Sequence, residues 1–314
     1  MPIHVFGHKN PDTDAIVSAI TLSYWLNQQD IYAVPYRLGN INTETQYLLN
    51  LTHMHAPQLL TELPKQSDIA LVDHNESQQS IDNLNDYKIR YVIDHHKLGD
   101  LTTPEPAHIH LLPVGSTATL LYMMFQQAPL SGSKFVISQQ IAMLMLGAII
   151  SDTLNLTGPT TTDSDRHAVA ELTHTAGVHD QAQFAKRLFE AKSDISGLSA
   201  VELVTADYKQ FRFANTTWGI ASIETASPEQ VLARVQALQT AIDTVKQRDK
   251  LDFLLVVIVD ILQQQSWAIA TSDAQNAIIT QAFDTTVDSN TIALGNRVSR
   301  KLQFVPALER YYQS

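Results

Sequence analysis

Gly7-His8-Lys9-Asn10-Pro11-Asp12-Thr13-Asp14 is the stretch that decides how this chain is read. It follows the apolar run Ile3-His4-Val5-Phe6 and precedes Ala15-Ile16-Val17-Ser18-Ala19-Ile20, whose apolar positions suit a helix. The run predicts a buried strand and the eight residues a strand-to-helix turn. One histidine and two aspartates then sit where open α/β sheets place their chemistry, outside the carboxyl ends of the strands. Ligand-type side chains crowded this closely point to a divalent cation.

Other stretches repeat the pattern. Ile69-Ala70-Leu71-Val72 ends in Asp73-His74-Asn75, and Ile89-Arg90-Tyr91-Val92-Ile93 ends in Asp94-His95-His96. Residues 30–35 are a further strand candidate. Buried helices are predicted over 116–127 and 138–150, the second running into Ser151-Asp152. Strands alternating with helices predict an α/β fold, with a mostly parallel sheet flanked by helices. Residues 163–190 read as polar helix. The small, polar stretch Ala191-Lys192-Ser193-Asp194-Ile195-Ser196-Gly197 then marks a boundary. We expect a first domain over 1–190, a hinge linker over 191–196 and a second domain over 197–314. The second carries strand candidates at 218–223, 253–259 and 267–271 and a long helix over 228–248. It reads as a smaller α/β domain with a mixed sheet.

Composition narrows the chemistry. Hydrophobic residues make up 44% and charged ones 17% of the 314, a globular profile rather than a disordered one. The formal net charge of −11 disfavours a broad nucleic-acid surface, and an anionic substrate would need local cations to overcome it. With no cysteine, a metal must be held by histidine and carboxylate. The apolar windows 141–150 and 253–262 are too short to span a bilayer. The chain start lacks a signal-peptide layout. The expectation is a cytoplasmic protein with no membrane and no nucleic-acid partner.

His8, Asp12, Asp14, Asp73, His95 and Asp152 are the candidate metal ligands. They exceed what one ion needs if water and substrate also coordinate. Two ions sharing a carboxylate, at the spacing of about 3.5–4 Å typical of two-metal hydrolytic sites, fit better. Imidazole argues against Mg²⁺ alone; Mn²⁺ or Co²⁺ suits the mixed shell, with Zn²⁺ an alternative. Asp12 or Thr13 could instead simply cap the helix. His53, His55, His108 and His110 lie in polar stretches and read as surface residues. Near the chain end, Ser299-Arg300-Lys301 offers a planar fork and a compact charge for phosphate, or a solvated surface. Lys209 alone reads as solvent-facing.

Taken together, the Gly7–Asp14 turn, Val72-Asp73-His74-Asn75, Asp94-His95-His96, Ser151-Asp152-Thr153 and Ser299-Arg300-Lys301 resemble family II, manganese-dependent inorganic pyrophosphatases, within the DHH phosphoesterase superfamily. The Asp-His-His triplet carries the superfamily and the Ser-Arg-Lys segment the branch. The resemblance implies an N-terminal DHH domain and a C-terminal DHHA2 domain. It implies an enzyme that hydrolyses inorganic pyrophosphate to two orthophosphates by a metal-activated bridging water, with closure of the domains over substrate. His8 and Asp12 would bind one metal and Asp14, His95 and Asp152 the other, with Asp73 between them. His96, Lys209, Arg300 and Lys301 would bind phosphate, His96 also being a candidate proton donor. Gln79 would lie near substrate and Asp94 behind the ligands. The implied cofactors are two Mn²⁺ per subunit, with Co²⁺ as an alternative, and Mg²⁺ carried by substrate; the implied assembly is a homodimer. The family often has a further lysine where this chain has Leu302. The chain from 63 to 73 is too short for the regulatory nucleotide-binding insert of some relatives. Nuclease-type relatives carry a Gly-Gly signature, and this chain has no Gly-Gly pair. A non-catalytic binding protein would be expected to have lost a ligand or the basic pair.

Overall fold

The computed structural model describes residues 2–127, 135–193, 195 and 197–313. Asp194 and Ser196 of the expected linker lie outside the described residues. The chain divides into two compact units, Met1–Leu188 and Phe189–Ser314.

The first unit begins β1 (Ile3–Phe6), α1 (Thr13–Asn27), β2 (Ala33–Arg37), α2 (Thr43–Leu51), β3 (Gln58–Leu59), β4 (Asp68–Val72), β5 (Lys88–Asp94) and β6 (His108–Leu111). Helices α3 (Thr117–Gln126), α4 (Gln139–Asp152), α5 (Asp163–Ala176) and α6 (Gln181–Lys192) follow, α6 running past Leu188. All six strands are parallel, in the order β3-β2-β1-β4-β5-β6. The order reverses direction at β1, whose neighbours are β2 and β4. In such sheets a crevice opens at the carboxyl ends of the strands flanking that switch. The turns after β1, β4 and β5 carry His8, Asp73 and His95.

Alternating side chains feed both faces. Phe6, Ile69, Leu71, Leu84, Ile89 and Val92 form one buried cluster. Val5 and Ala70 are equally buried and point the opposite way by the two-residue period. Each fully buried Leu, Ile, Val or Phe contributes about 1.5–3 kcal/mol. Helix α1 is apolar nearly all round because it is buried against both the sheet and neighbouring helices, and α4 because it is buried among α1, α2, α3 and α5. Gly7 has a close-approach role: a Cβ there would stand 2.6 Å from Ala15 Cβ and 2.9 Å from the Ala15 carbonyl oxygen. That contact seats the start of α1 against the end of β1.

The second unit comprises α7 (Ala200–Thr205), β7 (Tyr208–Phe213), β8 (Thr216–Thr225), α8 (Pro228–Leu232), α9 (Val235–Asp249), β9 (Phe253–Asp260), β10 (Gln265–Ile269), α10 (Asp273–Phe283), β11 (Val287–Asp288), β12 (Thr291–Gly295) and α11 (Val305–Gln313). Its mixed sheet has the order β11-β12-β10-β9-β8-β7, with β8 and β9 parallel and every other pair antiparallel. Leu254, Val256 and Ile258 of β9 pack with Leu238, Ile242 and Val245 of α9. The single helix expected over 228–248 is two: α8 and α9 part at Ala233-Arg234. There the Arg234 guanidinium donates to the carbonyls of Ile195 and Leu198 at 3.3 and 2.7 Å. Strands β3, β6, β7, β11 and β12 were not foreseen. β6 places His108 and His110 on a sheet edge rather than in an irregular stretch, and His108 stacks on Tyr91 at 4.9 Å between ring centroids. Among the described residues, no helix is long and apolar enough to cross a membrane.

Candidate metal centre

Three overlapping groups of ligand atoms converge in the first unit: His8, Asp12 and Asp73; Asp14, His95 and Asp152; and Asp73, His95 and His96. Within each group the atoms lie within 4.8 Å of one another. Asp73 and His95 each belong to two groups. All six candidate ligands therefore meet, although they come from the starts or ends of β1, α1, β4, β5 and α4.

Each ligand is aimed by a local device. Asp12 is the N-cap of α1: its Oδ1 accepts from the Ala15 N–H at 2.9 Å, while its Oδ2 lies 3.6 Å from His8 Nε2. Capping and facing the cluster are thus compatible, one oxygen for each. Asp14 is fully buried against the start of α3, accepting from Ser116 Oγ at 2.8 Å and from the Thr117 and Ala118 N–H groups at 2.6 and 3.0 Å. Asp73 has φ 59°, the left-handed region, which costs a non-glycine residue roughly 1–2 kcal/mol and which Asp tolerates better than most. The conformation is held by its N–H on the Ile93 carbonyl at 2.9 Å and by the Thr117 hydroxyl on its Oδ1 at 3.1 Å. His95 Nδ1 donates to the Val114 carbonyl at 3.0 Å, which makes Nε2 the candidate ligand atom. Nε2 faces Asp73 Oδ1 at 3.4 Å and Asp152 Oδ2 at 3.8 Å.

These residues fit divalent cations on physical grounds. Asp73 Oδ2 is fully buried, 3.3 Å from His8 Nε2, and among the described residues no group donates a well-aligned hydrogen bond to it. Asp152 ends α4, where the helix dipole opposes a negative charge. Imidazole lone pairs and carboxylates gathered in one buried place repel unless positive charge lies among them. Burial and the Asp73 carboxylate push Asp14 up to about 7. Burial would also raise Asp73, but the His8, His95 and His96 imidazoles outweigh it and hold the carboxyl well below its usual range.

The Asp14 shift has a testable sign. Below about pH 7 the metal-free site holds a proton on Asp14, and a cation must displace it. Cation affinity is expected to fall about tenfold per pH unit as the pH drops below that point. Mn²⁺ titrations of the metal-free chain at several pH values check this; an affinity flat across that range contradicts it.

His96 stands beside the ligands and is partly exposed. Its Nδ1 lies 2.8 Å from Asp94 Oδ1 and donates to it, because an ionised carboxylate only accepts. Burial would raise Asp94; the His96 and His95 imidazoles outweigh it and keep the carboxyl well below the usual carboxylate range. Asn75 donates to the other Asp94 oxygen and to the Lys97 carbonyl at 3.0 Å. The Gln79 carbonyl accepts from the Lys9 N–H at 2.8 Å, tying the loop after β4 to the loop after β1.

In the second unit Lys209 is buried in β7, opposite Ile220 of β8. Arg300 opens a π-helical turn, Arg300–Phe304, capped by the Ser299 hydroxyl on the Leu302 N–H. Its guanidinium reaches Asp207 twice, at 2.9 Å to the carbonyl and 2.8 Å to Oδ1. Asp207 immediately precedes β7, so this bond fastens the Arg300 segment to the Lys209 segment. Lys209 is not solvent-facing, as an isolated lysine first reads, and Lys301 is half-buried.

Sequence reading placed Asp94 behind the ligands but missed other residues that support the candidate site. Asp165 is fully buried and accepts from the Gly115 N–H at 2.9 Å and from Thr119 Oγ at 2.6 Å, next to the Val114 carbonyl that orients His95. Its signal was Thr162-Asp163-Ser164-Asp165, which forms a capping box at the start of α5. After Asp152, Leu154, Asn155 and Leu156 are all left-handed, with φ of 48°, 53° and 67°. Asn155 alone is of a type that favours this region; nothing in Leu154 or Leu156 signals it.

Comparison with known proteins agrees with the geometry. Residues 2–149 match the DHH family, N-terminal domain, and residues 186–311 the DHHA2 domain. A Deinococcus radiodurans protein named "Probable manganese-dependent inorganic pyrophosphatase" is 45% identical over 312 residues, 98% of each chain. The Bacillus subtilis manganese-dependent inorganic pyrophosphatase is 39% identical, over 98% of this chain and 97% of its own. A solved structure of a "Methanococcus jannaschii putative family II inorganic pyrophosphatase" superposes with a TM-score of 0.88 at 36% identity, covering 99% of this chain and 100% of that one. With its ligand groups gathered at the switch of a parallel sheet and its relatives matched end to end, the chain belongs to the manganese-dependent, family II inorganic pyrophosphatases.

Proposed function

We propose that this chain hydrolyses inorganic pyrophosphate to two orthophosphates. The observation that carries the reading is Asp73, a buried carboxylate common to two of the three ligand groups. His8 and Asp12 would hold one Mn²⁺ and Asp14, His95 and Asp152 a second, with Asp73, which is grouped with His8 and Asp12 and also faces His95 Nε2, available to both. When bound, the cations supply Lewis acidity, which activates water and neutralises charge on phosphate oxygens.

The chain's own residues do the rest. Val114 and Asp94 fix the ring orientations of His95 and His96, so each presents Nε2 away from its anchor. His96, partly exposed and backed by an ionised Asp94, binds a phosphate oxygen and passes a proton to the leaving phosphate. Lys209, Arg300 and Lys301 bind phosphate oxygens, and Gln79 lies near substrate. The segment 191–196 serves as a hinge, and closure excludes bulk water. Co²⁺ substitutes for Mn²⁺, and Mg²⁺ arrives with the substrate. The subunits pair as a homodimer; the exposed Ile109 on edge strand β6 supports this.

The test is phosphate release after chelation, with single cations restored. Mn²⁺ and Co²⁺ are expected to restore hydrolysis of pyrophosphate in preference to tripolyphosphate or a dinucleotide. Equal turnover of a dinucleotide, or full activity in the chelated state, refutes the reading.

A further inference from the structure

Glu44 is a carboxylate that the mechanism above does not use, and it is buried to 1% exposure in the first turn of α2. One of its oxygens, Oε2, accepts from Thr13 Oγ and from Ser151 Oγ, each at 2.7 Å. Thr13 lies between Asp12 and Asp14; Ser151 precedes Asp152. A single oxygen therefore joins the start of α1 to the end of α4, the two segments that carry three of the six candidate ligands. Thr13 Oγ also lies 3.0 Å from Thr45 Oγ, a second tie between α1 and α2.

Packing reinforces the joint. Leu48, one turn after Glu44, meets Gly147, one turn before Ser151. A Cβ at Gly147 would stand 2.5 Å from Leu48 Cδ2, so the Leu48 side chain packs directly over the glycine where α2 meets α4. The hydrogen bonds and the close packing thus share one antiparallel seam. An apolar residue at 44 would fill the space with less desolvation cost than a buried carboxylate. What an apolar residue lacks is directional contact with both ligand-bearing segments.

We infer that Glu44 is a positioning residue that sets the separation of Asp12 and Asp14 from Asp152, and so tunes Mn²⁺ affinity. The inference rests on the two-cation reading above. Groups bonded behind metal ligands typically change affinity about 10–100-fold when removed. The probe is Mn²⁺ binding to the chelated full-length chain, read from the electron paramagnetic resonance of free Mn²⁺, with thermal unfolding of each metal-free variant alongside. Glu44→Ala is expected to weaken Mn²⁺ binding about 10–100-fold. Glu44→Gln keeps a carbonyl oxygen for both hydroxyls and is expected to stay within about threefold of the parent. Ser151→Ala should fall between them, and the Glu44→Ala/Ser151→Ala pair should be no weaker than Glu44→Ala alone. A folded Glu44→Ala chain with parental affinity overturns the inference, as does Glu44→Gln binding as weakly as Glu44→Ala. If Glu44→Ala does not fold, Ser151→Ala at parental affinity overturns it. A parent that binds no Mn²⁺ overturns the two-cation reading as well, which separates the two failures.

Discussion

Replacing Asp73 is expected to abolish pyrophosphate hydrolysis and metal retention together. The carboxylate is shared by two ligand groups, so its loss leaves His8 and Asp12 as a pair and deprives His95 and His96 of their common partner. Removing a group that merely supports a ligand costs about 10–100-fold in affinity or activity, and a shared ligand should exceed that. We expect turnover to fall on the order of 1,000-fold or more. Two substitutions separate chemistry from folding. Asp73→Ala removes every ligand atom but puts a Cβ without a polar group at φ 59°. Asp73→Asn keeps a residue that tolerates the left-handed region and removes the charge. Both should lose Mn²⁺, measured by elemental analysis after dialysis, and Asp73→Asn should keep the fold, measured by circular dichroism. Asp73→Asn retaining both parental Mn²⁺ and a tenth or more of parental turnover would sink the central role given to this carboxylate.

Replacing Arg300 should separate substrate binding from metal binding. Its guanidinium is held by the Asp207 carbonyl and carboxylate, which leaves part of the planar fork for a phosphate oxygen. Arg300→Ala is expected to lower kcat/KM about 100-fold, in line with the loss of one strong donor to transition-state charge. Arg300→Lys should recover only part of this, since the ammonium lacks the planar, two-pronged geometry. Mn²⁺ content should stay at the parental level in both. The partner left behind, Asp207, is about one-third exposed, so its loss of an ion pair should cost little stability. Mn²⁺ lost from Arg300→Ala to the same extent as from Asp73→Asn would overturn the division of labour between the two units.

Much of the candidate centre was legible because its candidate ligands sit at the ends of apolar runs. His8 after β1, Asp73 after β4 and His95 after β5 follow from strand periodicity and the geometry of parallel sheets. Asp152 was legible as the end of an apolar helix. Two of the strands that were missed had weak local signals. β6, His-Ile-His-Leu, is a polar-flanked edge strand of four residues, and β11 has two. The helix over 228–248 shows unbroken helix formers at Ala233-Arg234, yet bonds from Arg234 to the 195–198 segment coincide with a break there.

Sequence alone supplied the candidate ligands, the α/β class and the family resemblance, because residue type and local period are properties of short windows. Tertiary structure decided how the ligands are held. Ser116 reaches Asp14 across 102 residues and Ser151 reaches Glu44 across 107. It also decided that Asp73 would be left-handed and that Asp12 would cap and face the cluster at once. Hydrogen bonds between such distant groups depend on which helices end beside one another, and that is set by the packing of the whole unit rather than by any local pattern.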